Sequence, residues 1–170
     1  VRDVRVTMIY EGTNGIQALD LVGRKMGQNY GRLLRRFFQP VLAFIEGNQD
    51  NPALQEFIFP LAKAFAKLQQ ATVQIAMKGL KDPNEAGAAS TDFLRMFALV
   101  AVGFMWARMA KVAQEKLTAG DNGKAEFYNA KLKTARFFME RMLPEVESRF
   151  RMVMAGAKPL MDMSESEFAA

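Results

Sequence analysis

Apolar residues recur every three or four positions along most of the chain, a spacing typical of amphipathic helices. Strand-type alternation is weak, and glycines and prolines cluster between the periodic stretches. The pattern predicts five helices, over residues 16–26, 30–46, 52–81, 90–118 and 124–155. Because the last four are long and joined by short turns, we predict an all-α fold, an antiparallel bundle of about four long helices.

Prolines and polar residues mark the expected interruptions and starts of these helices. A proline inside a helix removes a backbone donor and crowds the preceding turn, so we expect a kink or break at each one. Such prolines are Pro40, Pro60 and Pro144. Asn51 is predicted to cap the third helix, which then begins at Pro52, and Ser90 or Thr91 is predicted to cap the fourth.

The glycines of the segment 27–31 suggest a boundary between two domains. The first helix and the loop before it, residues 1–29, are predicted to belong to a neighbouring domain, and residues 30–156 form the bundle. Residues 157–170 read as a polar tail that we expect to be extended or poorly ordered. No internal repeat of fixed period is visible.

The most apolar segment of the chain is residues 96–107, which carry no charge and lie between two arginines. A membrane-spanning helix needs roughly 20 apolar residues. The run is shorter than this, so we interpret it as a buried core helix at the centre of the bundle and expect no membrane span.

The net charge of the chain is +5, and its distribution matters more than its size. The last nine residues hold Asp162, Glu165 and Glu167 and no base, so residues 1–161 carry +8. Because the bases are scattered and form no dense run, we interpret them as a solvated helical surface and expect no nucleic-acid partner.

The chain contains neither cysteine nor histidine. Disulfides and cysteine-based metal sites are therefore excluded, and the commonest metal ligand is missing, so we predict no metal site. Any acid–base chemistry must use carboxylates, lysine or tyrosine. A reducing compartment fits the lack of cysteine, and we expect a cytoplasmic location.

The candidate for chemistry is the loop 9–17, with the sequence Ile-Tyr-Glu-Gly-Thr-Asn-Gly-Ile-Gln. Glu11 is a lone carboxylate in a glycine-rich turn that leads into a helix. The glycines allow a ligand to approach the backbone, and a helix N-terminus offers free donors to an anion. From these residues alone, a turn capped by Thr13 or Asn14, with a solvated Glu11 and no functional role, is the favoured interpretation.

The segment 2–21 resembles the stretch that ends the catalytic domain of flavin-dependent acyl-CoA dehydrogenases, whose signature contains Tyr-Glu-Gly-Thr. The remainder resembles the extra C-terminal helical domain of the larger members, including those that act on methylthiopropionyl-CoA or aryl-acyl-CoA. The segments Ala88–Leu94 and Trp106–Ala110 support this second, less specific resemblance.

The resemblance implies a function for individual residues of the loop. Glu11 matches the catalytic base, which removes the α-proton of an acyl-CoA while a hydride passes from the β-carbon to FAD, giving a trans-2-enoyl-CoA. Thr13 matches an FAD-contacting threonine, Gly12 lets the loop approach the ligand, and Gln17 matches a family glutamine. Gly15 departs from the glutamine often found there. An electron-transfer flavoprotein is the implied electron acceptor.

The same resemblance implies that this chain is a C-terminal fragment, inactive alone, because one loop cannot enclose FAD or acyl-CoA. Two alternatives stay open: the bundle is an interaction or dimerisation module with a relic motif, or it associates peripherally with membranes. Each of the pairs Phe37-Phe38 and Phe137-Phe138 is predicted to place one ring inward and one partly outward. Plain partial exposure is the favoured interpretation of the outward rings, and contact with another subunit is the alternative. For the parent enzyme that the resemblance implies, we expect a homo-oligomer.

Overall fold

The computed structural model describes residues 3–9, 12–120 and 122–169, and within these ranges the chain is helical and contains no strand. Eight α-helices occur there: α1 (Thr13–Asp20), α2 (Gln28–Glu46), α3 (Gln55–Gly79), α4 (Pro83–Thr118), α5 (Ala125–Phe137), α6 (Glu145–Ala155), α7 (Lys158–Met161) and α8 (Glu165–Phe168). Asp3–Met8 and Asn122–Lys124 are 3₁₀ turns. Leu21–Lys25 and Phe138–Met142 are π-helical turns.

The 36-residue helix α4 is the centre of the bundle and contacts α1, α3, α5 and α6. Helix α2 runs parallel to it, because the ring of Phe37 lies 4.7 Å from that of Phe97 and the ring of Phe44 lies 5.5 Å from that of Phe104. Such parallel packing is expected of diagonal partners in an up-down-up-down bundle.

Helices α3 and α6 both run antiparallel to α4. In α3, Gly79 lies beside Ala86 and Leu61 lies beside Gly103. Two ion pairs join α4 to α6: Arg95 of α4 pairs with Glu145 of α6 at 2.8 Å, and Asp92 of α4 pairs with Arg149 of α6 at 2.9 Å. The predicted all-α antiparallel bundle is therefore confirmed, with α5 and α6 together forming its fourth member.

The core is built mainly from the side chains of α3 and α4, in agreement with the predicted position of the segment 96–107. Phe93, Met96 and Val100 have no exposed surface. By length and composition α4 is long and apolar enough to cross a membrane, but core helices share these properties. In the structure, 44% of its most apolar stretch is buried inside the bundle. Helix α4 is thus longer than the charge-free run 96–107, and the side chains on its inner face are part of the core.

The start of α4 differs from the prediction. Asp82 caps the helix by accepting a hydrogen bond from the Asn84 amide at 2.9 Å, and Pro83 occupies the first turn. Ser90, predicted as the cap, lies buried inside the helix and donates to the Gly87 carbonyl at 2.8 Å. The Asp-Pro pair acts as a start signal because proline lacks only a donor that the first turn leaves unpaired.

The start of α3 and the conformation of the tail also differ. Asn51 accepts a hydrogen bond from the Ala53 amide at 3.1 Å, but this bond closes a turn, and α3 begins only at Gln55. The tail contains α7 and α8, although its residues from Lys158 onward are exposed. These helices differ from an extended conformation, since Ser164 starts a capping box with Glu167, and the predicted poor order of the tail stays a prediction.

Phenylalanine positions bear out one prediction and modify another. Phe138 is buried and Phe137 exposed, as expected for adjacent helical residues. Phe37 and Phe38 are both half-buried, because both rings pack against Phe97 of α4. Pro144 ends the π-helical turn before α6 and separates it from α5, as its position predicted.

Near the start of α2, Asn29, Tyr30 and Gly31 interrupt the helix with left-handed backbone angles, with φ between 51° and 74°. This reversal lies at the boundary predicted from the sequence. Ala18 and Met26, which precede it, are nevertheless buried, and α1 packs on α4. The division into domains 1–29, 30–156 and 157–170 remains a prediction.

Candidate functional site

The motif loop enters α1 through Gly12, whose φ of 69° places it in the left-handed region. An L-residue is strained there, so glycine is the residue that this turn requires. The carbonyl of Gly12 accepts a hydrogen bond from the Ile16 amide at 3.2 Å, which starts the helix. Glu11 and Tyr10 lie outside the described residues, so the role of Glu11 as a base remains a prediction.

The side chains of Thr13 and Asn14 do not cap α1, in contrast to the alternative interpretation of the loop. Thr13 is the first residue of the helix and is half-buried, and Gln17 follows one turn later on the same face, exposed. The amides of the first helical turn have no partner within the helix. They are therefore available to polar atoms of a ligand.

The space beside this turn is open on the side that a ligand would approach. A Cβ atom built on Gly12 or on Gly15 meets no heavy atom within 4 Å. The loop can therefore lie directly against a flat or bulky group, although within the described residues nothing covers such a group from the other side. The geometry fits a contact with part of a cofactor and does not fit a site that holds one whole.

Apolar side chains around the turn point into solvent. Ile9 is 74% exposed and Ile16 is 65% exposed, and Leu19 is also exposed. Ala18, on the opposite side of α1, has no exposed surface and anchors the helix to the bundle. A grouped apolar surface of this kind indicates a protein or ligand contact.

Asp20 connects the end of α1 to the π-helical turn that follows. Arg24 donates to its carboxylate at 2.5 Å and Lys25 approaches to 3.0 Å. Chiefly because of the Arg24 hydrogen bond, with a second one from Lys25, the pKa of Asp20 falls to about 2. The carboxylate thus stays ionised, and the pairing holds the turn that links the motif helix to α2.

Comparison with known proteins identifies the family of the bundle. A profile of the family described as "Acetyl-CoA dehydrogenase C-terminal like" matches residues 37–164, which is most of the chain. The chain belongs to this acyl-CoA dehydrogenase C-terminal family. The resemblance drawn from the sequence is therefore confirmed.

Individual relatives in this family are acyl-CoA dehydrogenases. The chain is 38% identical over 146 residues to the 3-methylmercaptopropionyl-CoA dehydrogenase of Ruegeria pomeroyi, a match covering 85% of this chain and 24% of that protein. It is 27% identical over 175 residues to the broad-specificity linear acyl-CoA dehydrogenase FadE5 of Mycobacterium tuberculosis, covering 99% and 29%. A butyryl-CoA dehydrogenase of Syntrophomonas wolfei is 25% identical over 169 residues, covering 98% and 28%. The chain thus spans about a quarter of the length of these curated relatives.

A second feature of this acyl-CoA dehydrogenase C-terminal domain was missed by sequence reasoning. A groove of about 670 Å³ lies between α4 and α5 and reaches Phe44 of α2; we call it the α4–α5 groove. Its lining includes Met105, Arg108, Lys111, Phe127 and Lys131. The residues come from three helices, so no local motif could reveal it. The signal in the sequence that could have indicated the groove is the helical spacing of Met105, Met109 and Val112, which lie on one face of α4.

Within the described residues, no group of three or more acidic, histidine or cysteine side chains is arranged to hold a metal ion. The described part of the motif presents backbone amides, the hydroxyl of Thr13 and the amide side chains of Asn14 and Gln17.

Proposed function

We propose that this chain is the C-terminal part of an FAD-dependent acyl-CoA dehydrogenase, in which the motif loop supplies the catalytic base. The observation that carries the proposal is the extent of the similarity to FadE5. It covers 99% of the chain, so it takes in the motif loop as well as the bundle. The three relatives compared are all named for dehydrogenation of acyl-CoA compounds.

Glu11 is the proposed base that removes the α-proton of the bound acyl-CoA. A hydride leaves the β-carbon for the flavin, so a C–C single bond becomes a trans double bond and two electrons are stored on the cofactor. A closed, apolar site raises the pKa of a carboxyl group toward neutral pH, which suits this proton transfer. An electron-transfer flavoprotein is the proposed acceptor of these electrons.

Gly12, Thr13 and Gln17 are the proposed FAD contacts. The open space at Gly12 allows the backbone to approach the cofactor, and the unpaired amides at the start of α1 can donate to its polar atoms. Thr13 adds a hydroxyl and Gln17 adds an amide from the same helix face. Metal ions have no part in this proposal.

The exposed apolar side chains near the motif support the view that the chain works inside a larger enzyme. Ile9, Ile16 and Leu19 would be covered by the rest of the catalytic body. We therefore propose that the chain alone binds neither FAD nor acyl-CoA. A yellow flavin spectrum that survives purification and dialysis of the chain would refute this part of the proposal.

The test of the reaction uses the full-length enzyme, loaded with FAD and kept free of oxygen. A panel of acyl-CoA substrates, including 3-methylmercaptopropionyl-CoA, butyryl-CoA and longer linear chains, is added while the visible absorbance of the oxidised flavin is followed. We expect bleaching with the wild type and its loss with Glu11→Gln. Glu46→Gln, an exposed glutamate at the end of α2, is the matched control and should bleach normally.

Each result has a defined meaning for the proposal. Equal bleaching in wild type and Glu11→Gln would place the base elsewhere. No bleaching with any acyl-CoA would favour the alternative in which the bundle is an interaction module and the motif a relic. The α4–α5 groove is the structural observation that favours this alternative.

Location and membrane association are part of the proposal. We propose a cytoplasmic enzyme that does not associate with membranes, consistent with the position of α4 in the core. Sedimentation with anionic liposomes at low salt tests this directly. Recovery of the protein with the liposomes would contradict it.

A further inference from the structure

The α4–α5 groove combines an apolar floor with a basic rim. Phe44, Met105 and Phe127 form part of the floor, and Phe127 is 56% exposed. Arg108, Lys111 and Lys131 are on the rim, against the single carboxylate of Glu115. The lining therefore has a net charge of +2.

Two of the rim cations lack acidic partners within the described residues. Arg108 stacks over the Phe104 ring at 5.5 Å, and Lys131 lies over the Trp106 ring at 5.6 Å. Neither takes part in an ion pair in the described parts of the chain, whereas Lys111 reaches Glu115 at 3.9 Å. Lys131 also lies over the exposed ring of Phe127, at 5.2 Å. Cations without a carboxylate partner beside apolar surface favour a ligand that is both anionic and apolar.

Residues 160–168, which we call the acidic segment, have the complementary character. The segment holds Asp162, Glu165 and Glu167 and no base, together with exposed apolar side chains. Phe168 is 81% exposed and Leu160 is 69% exposed. Glu167 is occupied by the capping box with Ser164, with a bond of 2.7 Å, so the other two carboxylates are the ones available to a partner.

The acidic segment lies at the opposite end of α4 from the groove. Gly156, just before the segment, packs against the carboxylate of Glu85 near the start of α4. Arg108 is 23 residues beyond Glu85 along α4, which corresponds to about 35 Å. Glu165 is nine residues beyond Gly156 and can extend at most about 32 Å. Contact within one chain would thus require a fully extended segment and the loss of α7 and α8.

We propose that the acidic segment of one copy docks in the α4–α5 groove of a second copy. If two copies lie with their α4 helices antiparallel, the segment end of each meets the groove end of the other, and α7 and α8 stay folded. The arrangement has two-fold symmetry and contains the segment–groove contact twice. Asp162 and Glu165 face the basic rim, and the apolar side chains of the segment cover the groove floor. The inference does not rest on the proposed enzymatic function.

Charge-reversal variants of the whole chain test this docking. The groove variant carries Arg108→Glu and Lys131→Glu, and the segment variant carries Asp162→Lys and Glu165→Lys. The control variant, Lys81→Glu with Lys133→Glu, changes exposed lysines outside the groove lining and has the same charge change as the groove variant. Sedimentation equilibrium measures the dimer dissociation constant, and Trp106, the single tryptophan, reports by fluorescence near the groove. Far-UV circular dichroism verifies that each variant is folded.

We expect a reversible wild-type dimer and a dissociation constant that is raised at least about tenfold in the groove variant and in the segment variant. The control variant should dimerise within about threefold of the wild type. Mixing the groove variant with the segment variant should restore dimers, because each heterodimer contains one native contact and one contact with both charges exchanged.

Several results would overturn the docking. One is a wild-type chain that stays monomeric at every concentration. Another is a segment variant that dimerises like the wild type, which would assign the groove to a different part of the second copy or to another acidic, apolar ligand. A mixture of folded variants that stays monomeric would also overturn it, since charge exchange must restore the contact.

Discussion

Replacing Gly103 with alanine is expected to stabilise the bundle, although the residue is buried at its centre. A Cβ atom built on Gly103 lies 3.4 Å from Leu143 Cδ1, 3.5 Å from Phe138 Cε1 and 3.6 Å from Leu61 Cδ1. These are ordinary van der Waals distances, so the methyl group fits with little displacement of its neighbours.

The magnitude follows from helix propensity and burial. Alanine favours the helix over glycine by about 0.8–1.0 kcal/mol, and a buried methyl group adds up to about 0.8 kcal/mol, less any cost of small shifts. We expect the free energy of unfolding to rise by about 1 kcal/mol and the melting temperature by about 2–4 °C. Gly103→Val should instead cost about 1–3 kcal/mol, because two further methyl groups enter a space already filled to contact distance.

Gly87→Ala is the matched control, because Gly87 is an exposed position of the same helix and its built Cβ atom meets nothing within 4 Å. It measures helix propensity alone. Urea and thermal unfolding followed by circular dichroism give both free energies. A destabilised Gly103→Ala beside a stabilised Gly87→Ala would refute the reasoning, since α3, α4 and the π-helical turn before α6 would then pack more closely than described.

Three further predictions concern an ion pair, a helix cap and the backbone of the motif loop. The Arg95 hydrogen bond lowers the pKa of Glu145, so this carboxylate stabilises the fold above its unfolded pKa of about 4.3, and the contribution is lost as the pH falls through the lower folded pKa. In thermal melts at decreasing pH, the melting temperature of Glu145→Gln should therefore be lower than that of the wild type at pH 6 and approach it near pH 3. Asp82→Ala should cost about 1 kcal/mol in urea unfolding, because the Asn84 amide loses its acceptor. Gly12→Ala should cost about 1–2 kcal/mol of local strain and weaken FAD retention by the full-length enzyme, since the left-handed backbone then carries a side chain.

The contrary outcomes are specific to each of these. If the difference in melting temperature between Glu145→Gln and the wild type grew as the pH fell, the sign predicted for the ion pair's contribution to stability would be wrong. An Asp82→Ala variant as stable as the wild type would show that α4 does not depend on this cap. Full flavin retention after Gly12→Ala would show that the turn is not pressed against the cofactor.

Local sequence signals predicted the long helices well and their first turns poorly. The stripes of α3 and α4 are long and strongly periodic, so they were recognised without tertiary information. The cap at Asp82 was missed because Ser90 stands before an equally apolar run and has the residue type of a cap. Ser90 instead donates to the backbone inside the helix, an alternative use of the same hydroxyl.

The candidate site was predicted in part. The first helix was predicted to begin at residue 16, whereas α1 begins at Thr13, directly after the left-handed Gly12. The open space around the loop was not predictable, since it depends on which atoms surround the turn. The α4–α5 groove likewise has no signature along the chain, because Phe44, Arg108 and Lys131 meet only after three helices pack.

The sequence by itself determined the all-α class, the family and the chemical types available for a site. These properties follow from periodicity, composition and local order, which every segment carries with it. Only the tertiary structure decided that Ala18 anchors the motif helix to the bundle, that Ile16 stays exposed beside it, and that unpaired cations border an apolar groove. Burial and charge pairing depend on distances between segments far apart in the chain, and packing alone sets those distances.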